Sequence, residues 1–223
     1  MFDLDNTLYS PTAGILGQVD VLMTDFIHRA LGLTRDHANQ LRRTYWERYG
    51  ATLTGLVAEH GVDPDEFLDA SHRLDLSALT PEPNLLAALA DLPGRQVIHT
   101  NGPRRHALRV LEKLGLDQHF ERVIALEDTG YVPKPAAKAH QVAALQAGWV
   151  PDRTAMIDDA ARNLAHPAEM GLTTIWLNRG ETVAPPLHVD HIAHDLIEFL
   201  GQVKNGDQSA STGSSAPTHR SQP

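Results

Sequence analysis

The chain has 223 residues, 42% of them apolar, a formal net charge of −9 and no cysteine. That length suits one large domain or a domain with a smaller insert, and the missing cysteines exclude structural disulfides and thiolate metal sites. Acids and bases are mixed along the chain and no apolar run approaches the roughly 20 residues of a membrane span, so neither a broad nucleic-acid-binding face nor a membrane anchor is expected. With neither a basic segment nor an apolar signal region at the N-terminus, a cytoplasmic protein is expected.

In chain order, Met1 and Phe2 form a very short apolar start that runs into Asp3-Leu4-Asp5-Asn6-Thr7-Leu8. Two carboxylates two positions apart project the same way along an extended chain. Such a pair can divide labour, one attacking an electrophile while the other moves protons, and both are hard oxygen ligands of the kind Mg²⁺ prefers. From Pro11 to Thr80 the pattern is helical throughout. Ile15, Val19, Leu22, Phe26 and Ala30 recur at helical spacing with Gly32 as a stop. Further helices run from Thr34 to Tyr49-Gly50, from Thr52 to His60-Gly61, and from Asp63-Pro64, a capping residue followed by proline at the first helical position.

After Pro83 the pattern changes. A helix over Asn84–Leu92, a strand over Gln96–Thr100, a helix over His106–Leu114, a strand over Arg122–Leu126 and a helix over Pro135–Ala147 follow one another. A strand over Thr154–Ile157, a helix over Ala160–Met170, a strand over Thr173–Leu177 and a last helix over His191–Val203 complete the series. Short apolar strands alternating with helices predict a parallel sheet covered on both faces. Residues 204–223, made of Ser, Gly, Gln, Thr and Pro with almost no large apolar side chain, read as a disordered tail.

In an open α/β sheet ligands bind beyond the carboxyl ends of the strands. Four such ends or adjoining loops carry chemistry: Asp3 and Asp5; Thr100-Asn101-Gly102; Lys134 between Pro133 and Pro135; and Asp158-Asp159. Taken singly, they read as a solvated acid pair, a turn, a surface lysine and a helix cap. Taken together they suit phosphoryl transfer, whose transition state spreads negative charge over oxygens and calls for positioning and charge stabilisation. A metal held by Asp3, Asp5 and the aspartate pair would neutralise charge, the Thr100 hydroxyl and the Asn101 and Gly102 amides could cradle oxygens, and Lys134 is a fixed cation.

With these residues in place, the chain resembles the haloacid dehalogenase (HAD) superfamily: Phe2–Leu8, Thr100-Asn101-Gly102, Lys134 and Asp158-Asp159 look like its four motifs, in order. Tyr49-Gly50-Ala51-Thr52-Leu53, His60-Gly61-Val62-Asp63-Pro64, Leu92-Pro93-Gly94-Arg95 and Tyr131-Val132-Pro133-Lys134-Pro135 look like its pyrimidine 5′-nucleotidase branch. The resemblance implies a Rossmann-like α/β core (residues 1–10 and 81–203) with a helical cap (11–80) inserted after the first strand. It implies Asp3 as the nucleophile and Asp5 as the acid and base. Mg²⁺ would be held by Asp3, the Asp5 carbonyl and Asp159, with Asp158 as the alternative ligand, and Asn163 would orient a metal-bound water or Lys134. The expected activity is Mg²⁺-dependent hydrolysis of small phosphomonoesters, foremost pyrimidine nucleoside 5′-monophosphates, by a monomer or homodimer. Asp5 and Thr7 favour phosphatase over dehalogenase chemistry, since carbon–halogen cleavage needs no general acid.

Two other readings stand beside this one: a sugar-phosphate or other metabolite phosphatase of the same superfamily, and an inactive protein that binds a phosphorylated ligand. The second draws on the start of the chain. A family member's first strand carries about four or five apolar residues before the nucleophile, and here only Met1 and Phe2 are present. The expectation is a start lying upstream; otherwise the first strand is a stub that leaves neighbouring amides unpaired and brings the α-amino group near the site. His188, His191 and His194 are expected to be ordinary residues, Trp149 and Trp176 core. Arg42, Arg43, Tyr45, Trp46 and Tyr49 form a basic–aromatic cluster, read as a packed stripe that could present one side chain to a substrate.

Overall fold

The structure, a computed structural model, describes residues 1–180 and 182–211, with side chains described as far as Val203. It opens on four helices, α1 (Ile15–Leu31), α2 (Arg35–Tyr49), α3 (Thr52–His60) and α4 (Pro64–Ser71). An alternating series follows: α5 (Pro83–Ala90), β1 (Val97–His99), α6 (Arg104–Leu114), β2 (Arg122–Ile124), α7 (Ala137–Ala147), β3 (Ala155–Asp158), α8 (Ala165–Glu169), β4 (Thr173–Leu177), β5 (His191–Ala193) and α9 (Leu196–Ser211). Short 3₁₀ turns at Pro11–Ala13, Leu126–Thr129, Pro151–Arg153 and Ala161–Leu164 complete it.

All strand pairings are parallel: β1 with β2, β3 with β4, and β4 with β5. Phe2 joins the two groups by bridging in parallel to Ile98 on one side and Ile157 on the other. The short start of the chain is therefore the central rung of the sheet. Phe2 N–H donates to Val97 O and Asp3 N–H to Ile157 O, while Phe2 O accepts from His99 N and Met1 O from Ile157 N. Neighbouring amides that a stub was expected to leave unpaired, those of His99 and Ile157, thus find partners here. The α-amino group donates to Ala155 O at 2.7 Å, at the opposite end of β3 from Asp158 and so away from the carboxylates. Order across the sheet is β2, β1, Phe2, β3, β4, β5, so the direction of strand addition reverses at Phe2. Such a switch point opens a crevice beyond the strand's carboxyl end, and Asp3 stands there.

Both faces of the sheet are covered, as the alternation of side chains requires. Phe2, Ile98, Val123, Ile157, Ile175 and Leu177 share one apolar cluster with Leu85 and Leu89 of α5, Val110 and Leu111 of α6, and Leu196 and Leu200 of α9. On the other face Val97 and Ile124 pack on Ala143 and Ala147 of α7, and Met1, Met156 and Trp176 pack on Leu164 and Leu172.

Helices α1–α4 hold a separate apolar cluster that includes Phe26, Ile27, Tyr45, Leu53, Leu56 and Phe67. Phe26 and Phe67 meet edge-to-face at 5.3 Å. The helix α1 joins the two cores, burying Ile15 and Val19 in the sheet's cluster and Phe26 and Ile27 in the helical one. Local chemistry sets the ends: Thr34 accepts from His37 N, Asp63 accepts from Glu66 N, and Gly32 and Gly61 take left-handed φ of 65° and 64°. Close approach sets one interior residue, because a Cβ on Gly55 would lie 2.4 Å from Tyr45 Cγ.

Three expectations are corrected. The segment expected to be helical from His191 begins as β5, because Asp190 accepts from the Thr174 amide at 2.8 Å and sets Ile192-Ala193 in register beside Trp176-Leu177. The helix then starts at Leu196, capped by Asp195, which accepts from Glu198 N. It runs through Ser211, so residues 204–211 are helical where a disordered tail was expected. A helix anchored by buried Leu196 and Leu200 extends cheaply into polar residues. The rest of that tail, 212–223, lies outside the described residues. Finally, Ala160–Met170 is a 3₁₀ turn followed by the short α8, not one helix.

Candidate active site

The site is built at the carboxyl ends of the central rungs. Asp3 is 6% exposed; its Oδ1 accepts from Lys134 Nζ at 2.7 Å and its Oδ2 from the Thr7 hydroxyl at 2.9 Å. Lys134 is buried in the loop before α7 and also donates to Asp158 Oδ2 and to His99 O, each at 2.8 Å. All three ammonium protons therefore have acceptors. Burial alone would push the ammonium down, but Asp158 and Asp3 outweigh it and hold the group above its ordinary value. The Asn101 side chain steadies this loop: its Oδ1 accepts from Lys134 N at 2.8 Å and its Nδ2 donates to Lys134 O at 3.0 Å.

The two aspartates at the end of β3 are used differently. Asp158 is fully buried and saturated, accepting from Lys134, from Ala160 N at 2.9 Å and from Asn163 Nδ2 at both oxygens. Asn163 thus acts on Asp158, not directly on Lys134 as one expectation had it. Asp159 is only partly buried, and its main-chain carbonyl is held by the Trp176 indole N–H at 2.9 Å. Burial, then repulsion from Asp158, push the Asp159 carboxyl up to about 6. Asp3 is raised well above the ordinary range by burial, against the pull of Lys134 and with the push of Asp158 and Asp159.

Ligand oxygens of Asp3, Asp158 and Asp159 lie within 4.8 Å of one another. Three carboxylates share one ammonium, and two of them are pushed toward protonation, first by burial and then by one another's charge. The donor set is all hard oxygen, so it fits Mg²⁺.

Asp5 lies beside this cluster with its Oδ1 doubly bonded, accepting from the Tyr9 hydroxyl at 2.6 Å and contacting His106 Nε2 at 2.7 Å. Burial would raise the Asp5 carboxyl; attraction to His106 and the two hydrogen bonds outweigh it and hold the group below its ordinary value. Thr100 is buried at the end of β1, and its Oγ1 accepts from Gly102 N at 2.9 Å. The Gly102 amide is thus engaged within the turn, and the Thr100 hydroxyl proton is left to point elsewhere. Arg179, after β4, donates to the carbonyls of Asn6, Thr7 and Tyr9, pinning the loop that carries Asp5. Sequence reading passed over Tyr9, His106 and Arg179. Each acts across the fold or within a loop, and none stands in a periodic pattern that singles it out.

Beneath Lys134 lies a layer of imidazoles. The His99 and His140 rings meet at 5.3 Å and the His140 and His166 rings at 5.9 Å. Burial first, then the charge of Lys134, push His140 down to about 3, from an ordinary 6.5. The unfolded chain therefore takes up a proton at His140 before the folded one does. This residue's contribution to stability is complete above pH 6.5 and is lost as pH falls from there toward about 3. His140→Leu removes that loss, so its stability relative to wild type should rise by about 2 kcal/mol between neutral pH and about pH 5. Paired denaturant melts at the two pH values check this, and an unchanged difference would refute it.

The remaining candidates scatter. His188 bonds Ala161 O and His194 bonds Asn178 Oδ1, while His191 packs near Phe199. Trp176 is core and Trp149 half-buried between two clusters. In the helical cluster Tyr45 bonds His60 and Arg42 pairs with Asp20, but Trp46 turns outward and receives the Arg162 guanidinium 4.6 Å from its ring centroid.

At its switch point the parallel α/β sheet gathers paired aspartates, a buried lysine and a hydroxyl-bearing turn, an arrangement suited to carboxylate chemistry. The chain belongs to the haloacid dehalogenase-like hydrolases, whose family pattern it matches over residues 1–171. It is 28% identical over 191 residues to phosphate metabolism protein 8 of Saccharomyces cerevisiae, covering 77% of this chain and 58% of that protein, so it spans little more than half of the yeast relative's length. It is 27% identical over 184 residues to the phosphoglycolate phosphatase of Chromobacterium violaceum, covering 82% and 77% of the two chains. In fold it is similar to a HAD phosphatase from Thermococcus onnurineus, with a TM-score of 0.62 at 21% identity over 91% of this chain and 95% of that one. Among the described residues no helix is long and apolar enough to cross a membrane.

Proposed function

We propose that this chain is a Mg²⁺-dependent phosphomonoesterase acting on a small phosphorylated metabolite, with pyrimidine nucleoside 5′-monophosphates as the foremost candidates. The observation that carries the reading is Asp3, placed at the switch point and held through both oxygens by Lys134 and Thr7. A carboxylate so oriented suits in-line attack on phosphorus. Asp3 forms the new bond to phosphorus as the ester P–O bond breaks, and Asp5 delivers a proton to the departing alkoxide. Asp5 then takes a proton from the water that attacks the aspartyl-phosphate, which releases inorganic phosphate and restores Asp3.

The free enzyme favours Asp5 as a carboxylate, the form needed for the second step. For the first, the negative charge of a bound phosphoryl group raises the proton affinity of the carboxyl, and the proton enters with the substrate. Lys134 bridges Asp3 and Asp158, and the Thr100 hydroxyl and the Asn101 amide are the groups that would meet the phosphoryl oxygens. Asp3, Asp159 and the Asp5 carbonyl are the residues that would hold Mg²⁺; Asp158, already saturated, supports Lys134. The ion supplies positive charge against the phosphoryl oxygens.

Residues 11–80 are read as the cap and 1–10 with 81–203 as the core. The apolar cluster of α1–α4 supports that division, and the contacts that cross it include Tyr131 O–H to Asp65 Oδ1 at 2.6 Å, Arg162 over Trp46, and Arg109 to the His72 and Leu74 carbonyls. Closure there would exclude water from the acyl phosphate. The nucleotide preference draws on the branch resemblance; Trp46, which stacks with Arg162 three residues after Asp159, is an aromatic side chain of the cap that contacts this end of the core. The phosphoglycolate phosphatase similarity favours a smaller ester as the second reading.

Phosphate release from UMP, CMP, phosphoglycolate and sugar phosphates, with Mg²⁺ and after chelation, tests this. Activity on UMP or CMP that chelator removes and added Mg²⁺ restores is expected. Release confined to phosphoglycolate or sugar phosphates would overturn the substrate assignment, and full activity after chelation would overturn the metal.

A further inference from the structure

Asp5 is asked to give up a proton in one step and take one in the next, and only one of its two oxygens is free to do so. Its Oδ1 is engaged twice, by Tyr9 Oη at 2.6 Å and by His106 Nε2 at 2.7 Å. Its Oδ2 faces the turn after β1: a Cβ built on Gly102 would lie 3.4 Å from Asp5 Oδ2 and 3.4 Å from Thr100 Oγ1. The bare Gly102 backbone therefore leaves a gap bounded by the free oxygen of Asp5 on one side and the Thr100 hydroxyl on the other. We propose that Tyr9 and His106 are positioning residues that tie down Oδ1 of Asp5 and reserve Oδ2 as the one oxygen that exchanges protons with the reacting ester and water. The inference rests on the phosphomonoesterase reading.

Both donors are themselves fixed. Tyr9 is 7% exposed, and the Arg179 side chain holds its carbonyl, so loop and ring are anchored together. His106 is 1% exposed in the first turn of α6 and packs its ring 5.3 Å from that of His72, at the end of α4. Arg109, one turn further along α6, donates to His72 O and Leu74 O and locks the helix to that segment. A carboxylate with neither donor can rotate and exchange its oxygens; with both on one oxygen it keeps a single face toward the gap. Positioning of this kind is what converts a nearby acid into an aligned one.

The role predicts a dependence on the leaving group. An alkoxide needs the proton of Asp5, whereas p-nitrophenolate leaves without help. Tyr9→Phe and His106→Leu should therefore lower kcat/KM for the best alkyl phosphate of the panel by about 10- to 100-fold. For p-nitrophenyl phosphate kcat/KM should stay within about 3-fold, because it reports only the steps through the first bond cleavage. His106→Gln, which keeps an N–H donor, should recover most of the alkyl ester activity. Tyr9→Phe is nearly isosteric and carries the test by itself if the His106 variants fail to fold, as judged by circular dichroism. Equal losses on both esters, or no loss on either, would overturn the inference. A wild-type enzyme that hydrolyses neither ester would overturn the phosphomonoesterase reading, and the inference with it.

Discussion

Replacing Asp3 by asparagine should lower phosphate release by about 10⁴-fold or more, the scale on which loss of a covalent nucleophile is felt. The amide keeps the shape of the carboxylate and can still accept from Lys134, but its oxygen carries no charge with which to attack phosphorus. Stability should move the other way. Burial and the push of Asp158 and Asp159 drive Asp3 toward its neutral form in the metal-free protein, and asparagine supplies a neutral group outright. The metal-free variant should therefore melt no lower than wild type while remaining inactive. Mass spectrometry of acid-quenched reactions adds a direct readout, since wild type should carry one phosphoryl group on the peptide containing Asp3 and the variant none. Retained turnover in Asp3→Asn would remove the nucleophile from the mechanism.

Lys134→Met should destabilise the protein by about 3–5 kcal/mol, the cost of leaving buried charge uncompensated. For a chain of this size that is a fall in Tm on the order of 10 °C. Asp3 Oδ1 and Asp158 Oδ2 both accept from the one ammonium, so removing it sets two buried carboxylates against each other and orphans the His99 carbonyl. Added Mg²⁺ should return part of the lost Tm, because an ion bound to the native carboxylates stabilises only the folded state. Melts with and without Mg²⁺ measure both effects. A loss below about 1 kcal/mol would mean that the carboxylates find other compensation, and that Lys134 is not the keystone of the cluster.

Much of this protein was legible along the chain because the determining chemistry is local. Gly32, Gly50 and Gly61 end α1, α2 and α3 by conformations that glycine adopts readily, and Thr34 and Asp63 start α2 and α4 by accepting nearby amides. Short apolar runs ending in polar residues likewise marked the strand ends, and with them Asp3, Thr100, Lys134 and Asp158. Where the reading failed, the cause was distant. His191–Ala193 has too few residues to declare a strand, and is one because β4 offers it hydrogen bonds and Asp190 sets the register.

Adjacent Asp158 and Asp159 cannot be told apart by type. The ammonium of Lys134, 24 residues back, and the Asn163 amide saturate the first and leave the second open. His106 lies 101 residues from Asp5 yet meets the same oxygen as Tyr9. By itself the sequence determined the elements, their order and the residue types that meet at the strand ends, since caps, periodicity and turn chemistry act within a few residues. Only the tertiary structure decided which oxygen of each carboxylate is engaged and which is free, because hydrogen bonds have direction and their donors come from remote parts of the chain.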